Sequence, residues 1–149
     1  MDLSIFNPKS AVEKAQAMDL VHPTELTPII DEAGNKLTFS VVGTQSTQGR
    51  NAINEAMKVL KDAEKYKAED GEFDIEKVVK QEEIIEEHHA ILATALCVGW
   101  SDNIELSSNP LPFTKKNADK LFKSQPWIAV QVVEFARNIS NYVPRLKKD

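Results

Sequence analysis

The sequence predicts an α+β fold: a small N-terminal antiparallel sheet of two or three strands, packed on a bundle of about four helices. Three observations lead there. Leu37 to Val42 alternates, with Leu37, Phe39 and Val41 on one side and Thr38 and Ser40 on the other, the pattern of a half-buried strand. From Trp127, the residues Ile128, Val132, Phe135, Ile139 and Tyr142 recur at helical spacing. Between these lies Ala90 to Val98, apolar on nearly every side. A helix of that kind must be covered all round, so this stretch is expected to be the central core element.

In chain order, Asn7-Pro8 opens a short helix, because proline suits a first helical position, and Ser10 with Glu13 has capping-box spacing. Met18 to His22 alternates as a strand until Pro23 stops regular pairing. Asp31-Glu32-Ala33-Gly34-Asn35 carries turn chemistry, which lets Ile29-Ile30 pair across from Leu37. A lone hairpin is barely stable in water, so this sheet needs helices beneath its apolar face.

Gly43 to Gly49 is a polar link in which Ser46 or Thr47 can cap the next helix. That helix runs from Arg50 to about Tyr66, with Ile53, Ala56-Met57, Leu60 and Ala63 as its expected core face. Asp74 caps the central helix, whose expected stripe is Ile75, Val78, Val79, Ile85, His89, Leu92 and Leu96. Glu82-Glu86 and Glu83-Glu87 are like-charge pairs four residues apart, which favours a solvent-facing turn. Gly99-Trp100 ends the helix, glycine being suited to a left-handed stop. Ser101 to Pro112 reads as a long loop. Thr114 caps a helix carrying Ala118, Leu121 and Phe122, Pro126 starts the last helix, and Pro144 ends it before a charged tail.

The 149 residues suggest a single domain over 1–149, with a sheet region at 1–45, a helical region at 46–143 and a tail at 144–149. A lone cysteine, Cys97, cannot form an internal disulfide, and it reads as a small buried hydrophobe. The start lacks the basic and apolar runs of a signal peptide, and no apolar run approaches the roughly 18–20 residues of a membrane span. A cytoplasmic protein is therefore expected. The net charge of −5 argues against nucleic acid as the main partner. That charge is uneven: Asp70 to His89 holds eight acidic and two basic residues, and Thr114 to Asp149 holds eight basic and three acidic. Such asymmetry can orient two parts of a molecule or steer a partner.

No motif for catalysis stands out, and an enzyme is not expected. Glu86 and His89 have the Glu-x-x-His spacing of di-iron bundles, but such a site needs a second copy and further carboxylates, and the remaining histidine, His22, lies in the sheet region. No metal and no cofactor are expected. His89 is placed at the core boundary and His88 on the flank. The aromatics Trp100, Phe113, Phe122, Trp127 and Phe135 gather in the C-terminal half. Core packing accounts for most of them, and a groove for a partner helix is the functional option. The last helix carries apolar residues beyond one stripe. Trp100, Phe113, Trp127, Val130 and Val133 are the candidate partner-binding residues, with packing of this face inside the fold as the competing account.

Two segments together resemble the tail assembly chaperones of long-tailed bacteriophages. In MDLVHPTELTPIIDEAGNKLTFSVVGTQSTQGR the matching positions are His22-Pro23, Gly34, Thr38 to Gly43, Ser46 and Arg50. In VGWSDNIELSSNPLPFTKKNADKLF they are Trp100, Pro112-Phe113, Thr114 and Asn117. Gln45 stands where related chains often have aspartate, and Glu25 where they often have glycine. The resemblance, covering roughly Met18 to Tyr142, implies a non-enzymatic role in the host cytoplasm. Such proteins bind the tape measure protein, keep it soluble, help recruit tail tube subunits and leave before the virion is complete. It also implies that a frameshift at a slippery run encoding Lys147-Lys148 can extend the chain. Two other readings remain open: a phage structural protein, either a head–tail connector or a minor tail component, and a small intracellular metal-binding protein relying on His88 and His89.

Overall fold

In the computed structural model, residues 1–146 are described; Lys147 and Lys148, the positions of the implied frameshift, lie outside the described residues. The fold is α+β. Its central layer is β2 (Thr38–Val41), with β1 (Gln16–Asp19) on one side and β3 (Cys97–Trp100) on the other, all antiparallel. Met18 faces Phe39 across β1 and β2, and Phe39 faces Trp100 across β2 and β3. The expected alternation holds in β2: Phe39 and Val41 are buried while Thr38 and Ser40 are half-exposed. The Asp31–Asn35 turn also forms, with Gly34 at φ 85°, and Leu37 N–H donates to the Ile29 carbonyl.

The third strand comes from elsewhere than the N-terminal region. The central helix, α3 (Ile75–Leu96), is capped by Asp74 as expected but stops at Leu96, and Cys97 continues directly into β3. Gly99 has no left-handed conformation, so the expected glycine stop at Gly99-Trp100 is replaced by a passage from helix to strand. A run of apolar residues does not by itself separate a buried helix from a buried strand. Pairing with β2 decides here, where valine and tryptophan suit a pleated surface.

Ending α3 inside the core leaves carbonyls that need partners. The Lys115 ammonium supplies them, donating to the carbonyls of Thr94 at 2.7 Å, Cys97 at 2.8 Å and Ala95 at 3.3 Å. Lys115 opens α4 (Lys115–Ser124), which Thr114 caps, and α5 (Pro126–Arg137) follows after the Pro126 corner. The repeat expected to run to Tyr142 breaks at Asn138, and a 3-10 turn over Ile139–Asn141 brings the Tyr142 hydroxyl to the Val41 carbonyl at 3.1 Å. From α5, the Gln131 amide donates to the Val21 carbonyl and accepts from the Val21 N–H, filling the place of a neighbouring strand.

Near the N-terminus a single-turn α1 (Pro8–Ala11) has Asn7 as its cap, and Ser10 does not act as one. Glu13 instead accepts from the backbone and hydroxyl of Thr47, at the start of α2 (Thr47–Asp62), which Ser46 caps. Gly49 sits where a Cβ would lie 2.1 Å from the Thr44 carbonyl oxygen. The region read as a long loop holds a two-residue hairpin, β4 (Glu105–Leu106) with β5 (Asn109–Pro110), turned by Ser107 and Ser108 at φ 52° and 63°.

The expected core faces of α2 and of the first half of α3 are corrected. Ala56 is buried, but Ile53 and Met57 are exposed, as are Ile75, Val79 and Ile85. The sheet and the last two helices cover only the C-terminal half of α3, where Ala90, Leu92, Ala93 and Leu96 are enclosed.

Replacing Lys115 by Met is expected to cost about 1–2 kcal/mol in chemical denaturation, since its charged hydrogen bonds are partly wet. Gly49→Ala is expected to cost about 1–3 kcal/mol by the same measurement, because the crowding atom is backbone and cannot swing away.

Candidate functional site

The candidate site lies where β4 and β5, the sheet and the corner between α4 and α5 meet. A cavity of about 310 Å³ opens there, with Leu37 and Phe39 from the sheet side, Ile104 and Leu106 from the hairpin side, and Trp127 and Ile128 from α5. Its walls are mainly apolar. That volume admits apolar side chains of a partner segment, but not a whole helix. A larger hollow of about 630 Å³ has Asp31, Glu32, Asp102 and Glu105 in its wall together with apolar residues such as Ile30, Leu37 and Pro110. Among the described residues no group of three or more His, Cys, Asp or Glu is arranged to hold a metal ion. No helix among them is long and apolar enough to cross a membrane.

The five predicted contact residues divide into separate groups. Trp100 and Phe113 meet edge to face with ring centres 4.9 Å apart, and Trp100 also touches Phe39 and Phe122 edge on. The Trp100 indole N–H donates to the Leu111 carbonyl at 2.7 Å, which ties the 101–112 segment to β3. This cluster is a packing unit behind the cavity, with both rings half-buried. Trp127 lines the cavity itself, its indole N–H held by Gln125 Oε1 at 3.0 Å. Val130 is half-buried on α5 and does not line the cavity. Val133 is enclosed in the core at 1% exposure, so its side chain offers no surface to a partner.

Ile104 and Leu106 were not foreseen as cavity residues. Their signal was present: Ile104-Glu105-Leu106 alternates apolar and polar, a short strand inside what reads as a loop.

Of the histidine pair, His89 is half-buried at the core boundary as expected, and the reading of His88 as a flank residue is corrected. His88 is the buried one, and its Nδ1–H donates to the Ala56 carbonyl at 2.8 Å, joining α3 to α2. His89 is half-buried on the side where Glu134 and Arg137 of α5 approach. Desolvation chiefly, then the nearby charges of His88 and Arg137, hold His89 below its ordinary value near 6.5. Cys97 is fully enclosed, and burial pushes its thiol up to about 11, well away from nucleophilic use at neutral pH.

Against this geometry stand the comparisons with known proteins. A family model described as YdaY prophage protein matches residues 49–149. The chain belongs to the YdaY prophage protein family. The match takes in α2 through α5 with β3 to β5, and it leaves β1 and β2 outside. Neither the curated proteins nor the solved structures gave a match.

Two outcomes follow from the buried groups. Because the folded His89 takes up a proton less readily than the unfolded one, its contribution to stability is complete above about pH 6.5 and is lost as pH falls through its lower folded value. Urea melts from pH 7 to pH 5 should show falling stability, with a shallower fall for His89→Gln. Cys97 should resist a thiol reagent in the native protein and react once the chain is unfolded.

Proposed function

We propose that this prophage protein is a non-enzymatic tail assembly chaperone that binds the tape measure protein, keeps it soluble and helps recruit tail tube subunits. It would act in the host cytoplasm and be absent from the mature virion. One observation carries the reading. The two segments that resemble tail assembly chaperones lie far apart in sequence, and they come together as β2 beside β3, with the apolar cavity between their continuations. Membership of a prophage protein family supports the phage context. A long, partly apolar helical partner presents rows of apolar side chains, and a cavity rimmed by an amphipathic tryptophan suits one or more of them.

Co-expression with the long helical tail protein of the same prophage tests this, scored by how much of that protein stays soluble and co-purifies. Rescue by the wild-type chain is expected. Leu106→Glu, which puts a charge at the cavity wall on a half-buried strand, should abolish co-purification while helical content is retained. Failure of the wild-type chain to keep the partner soluble would retire the chaperone reading. Detection of the chain in purified particles would point to a virion component instead. Rescue that survives Leu106→Glu would leave the chaperone role standing and move its binding site elsewhere.

A further inference from the structure

The corner between α4 and α5 carries a hydrogen-bond donor that the fold itself does not use. Gln125 is the residue at that corner, and Pro126 after it keeps its backbone out of the helical region, at φ −129° and ψ 72°. Its N–H donates to the Leu121 carbonyl at 2.8 Å, and its carbonyl accepts from the Ile128 N–H at 3.0 Å. The last turn of α4 and the first turn of α5 therefore both hold it. The side chain is held as well, since Oε1 accepts from the Trp127 indole at 3.0 Å. An indole N–H can only donate, so this contact decides which end of the amide is which. The oxygen belongs to Trp127, and the NH2 group is left over.

Among the described residues Gln125 Nε2 has no acceptor in the protein. The buried side-chain polar atoms without a partner there are Thr94 Oγ1 and Asn103 Oδ1, so Nε2 is not shut away, and water reaches it in the free protein. Gln125 is half-buried and lines the cavity of about 310 Å³ beside Trp127. An occupant seated against Gln125 takes the place of that water. A donor that loses water and gains no acceptor is costly, so the cavity favours an occupant that brings an acceptor with it. An apolar side chain brings none. The acceptor must come from the backbone that carries the side chain. Inside a helix each carbonyl is already bonded to the N–H four residues on and lies beneath the side chains. An extended stretch leaves its carbonyls free.

We propose, resting on the chaperone reading above, that the segment of the tape measure protein bound here is an extended interruption of its helix. It places an apolar side chain in the cavity and a backbone carbonyl on Gln125 Nε2. Gln125 is then a specificity-determining residue, separating segments that offer a free carbonyl from uninterrupted apolar helices. Its bond to Trp127 holds the donor in place before the partner arrives, which lowers the cost of ordering on binding.

The test uses overlapping synthetic peptides that tile the long helical tail protein of the same prophage, titrated into the full chain by calorimetry. Co-purification of the whole partner is scored in parallel. Gln125→Glu keeps an acceptor for the Trp127 indole and removes the donor. Gln125→Leu removes both and makes the wall more apolar. Near-ultraviolet circular dichroism and thermal melting check that each variant folds. Both are expected to bind about tenfold more weakly than the wild type. The Gln125 side-chain NH2 signals, identified in nitrogen-15 NMR by their absence from Gln125→Glu, should shift downfield and exchange more slowly on binding. The bound peptide should add no helical signal. Undiminished binding by either variant, NH2 signals that do not move, or a helical bound peptide would each overturn this inference and leave the chaperone reading standing. A wild type that binds neither the peptides nor the whole partner would overturn both.

Discussion

The passage of α3 into β3 without a loop is the constraint on which the fold depends. A helix that runs straight into a strand leaves its last carbonyls without the usual intrahelical donors, and such groups are costly where they are unmatched and short of water. Here a single ammonium meets three of them. A cation at a helix C-terminus also lies at the favourable end of the macrodipole. Because Lys115 is the first residue of α4, the same contact that closes α3 positions the next helix. The strand that follows brings Trp100 opposite Phe39, and the Trp100 indole then anchors Leu111. Sheet, cavity wall and α4 are thus all referred to one junction.

The junction also explains why α3 is two different helices in one. Beyond His88 it is enclosed by α2, α4, α5 and the sheet. Before His88 its principal neighbour is α2, and its side chains alternate between contact and water. Few buried apolar contacts mean lower local stability, so the outer end of the hairpin should open before the junction does. The like-charged Glu82-Glu86 and Glu83-Glu87 pairs fall in that wetter half, where they are tolerated because water screens them.

Much of this was legible in local signals. Ser46, Asp74 and Thr114 cap the helices they were expected to cap, Pro126 starts α5, and β2 shows its alternation. These features are set within a few residues, so a sequence displays them directly. What was not legible was set by distant partners. The apolar run through Val98 divides at Leu96 because β2 offers Cys97–Trp100 a strand to pair with. Helical spacing marks Ile53 and Met57 as apolar without saying whether anything in the same chain lies opposite them. His88 and His89 are adjacent, and the position of the Ala56 carbonyl decides which one is buried. At the candidate site the aromatics were visible and their grouping was not, since Trp127 and Trp100 serve different surfaces.

The boundary of the family match runs through the walls of the cavity. Leu20, Ile29, Leu37 and Phe39 of the cavity precede residue 49, and its other walls follow it, so the cavity exists only where the N-terminal region and the matched region fold together. The α2–α3 hairpin, by contrast, is fixed by contacts that all lie within the match, His88 on the Ala56 carbonyl and Gln81 on the Ala63 carbonyl. A chain that kept the matched region and changed its first strands would lose the cavity and keep the hairpin. On the proposed reading, recognition at the cavity is then a property that the N-terminal strands and the matched helices have only together.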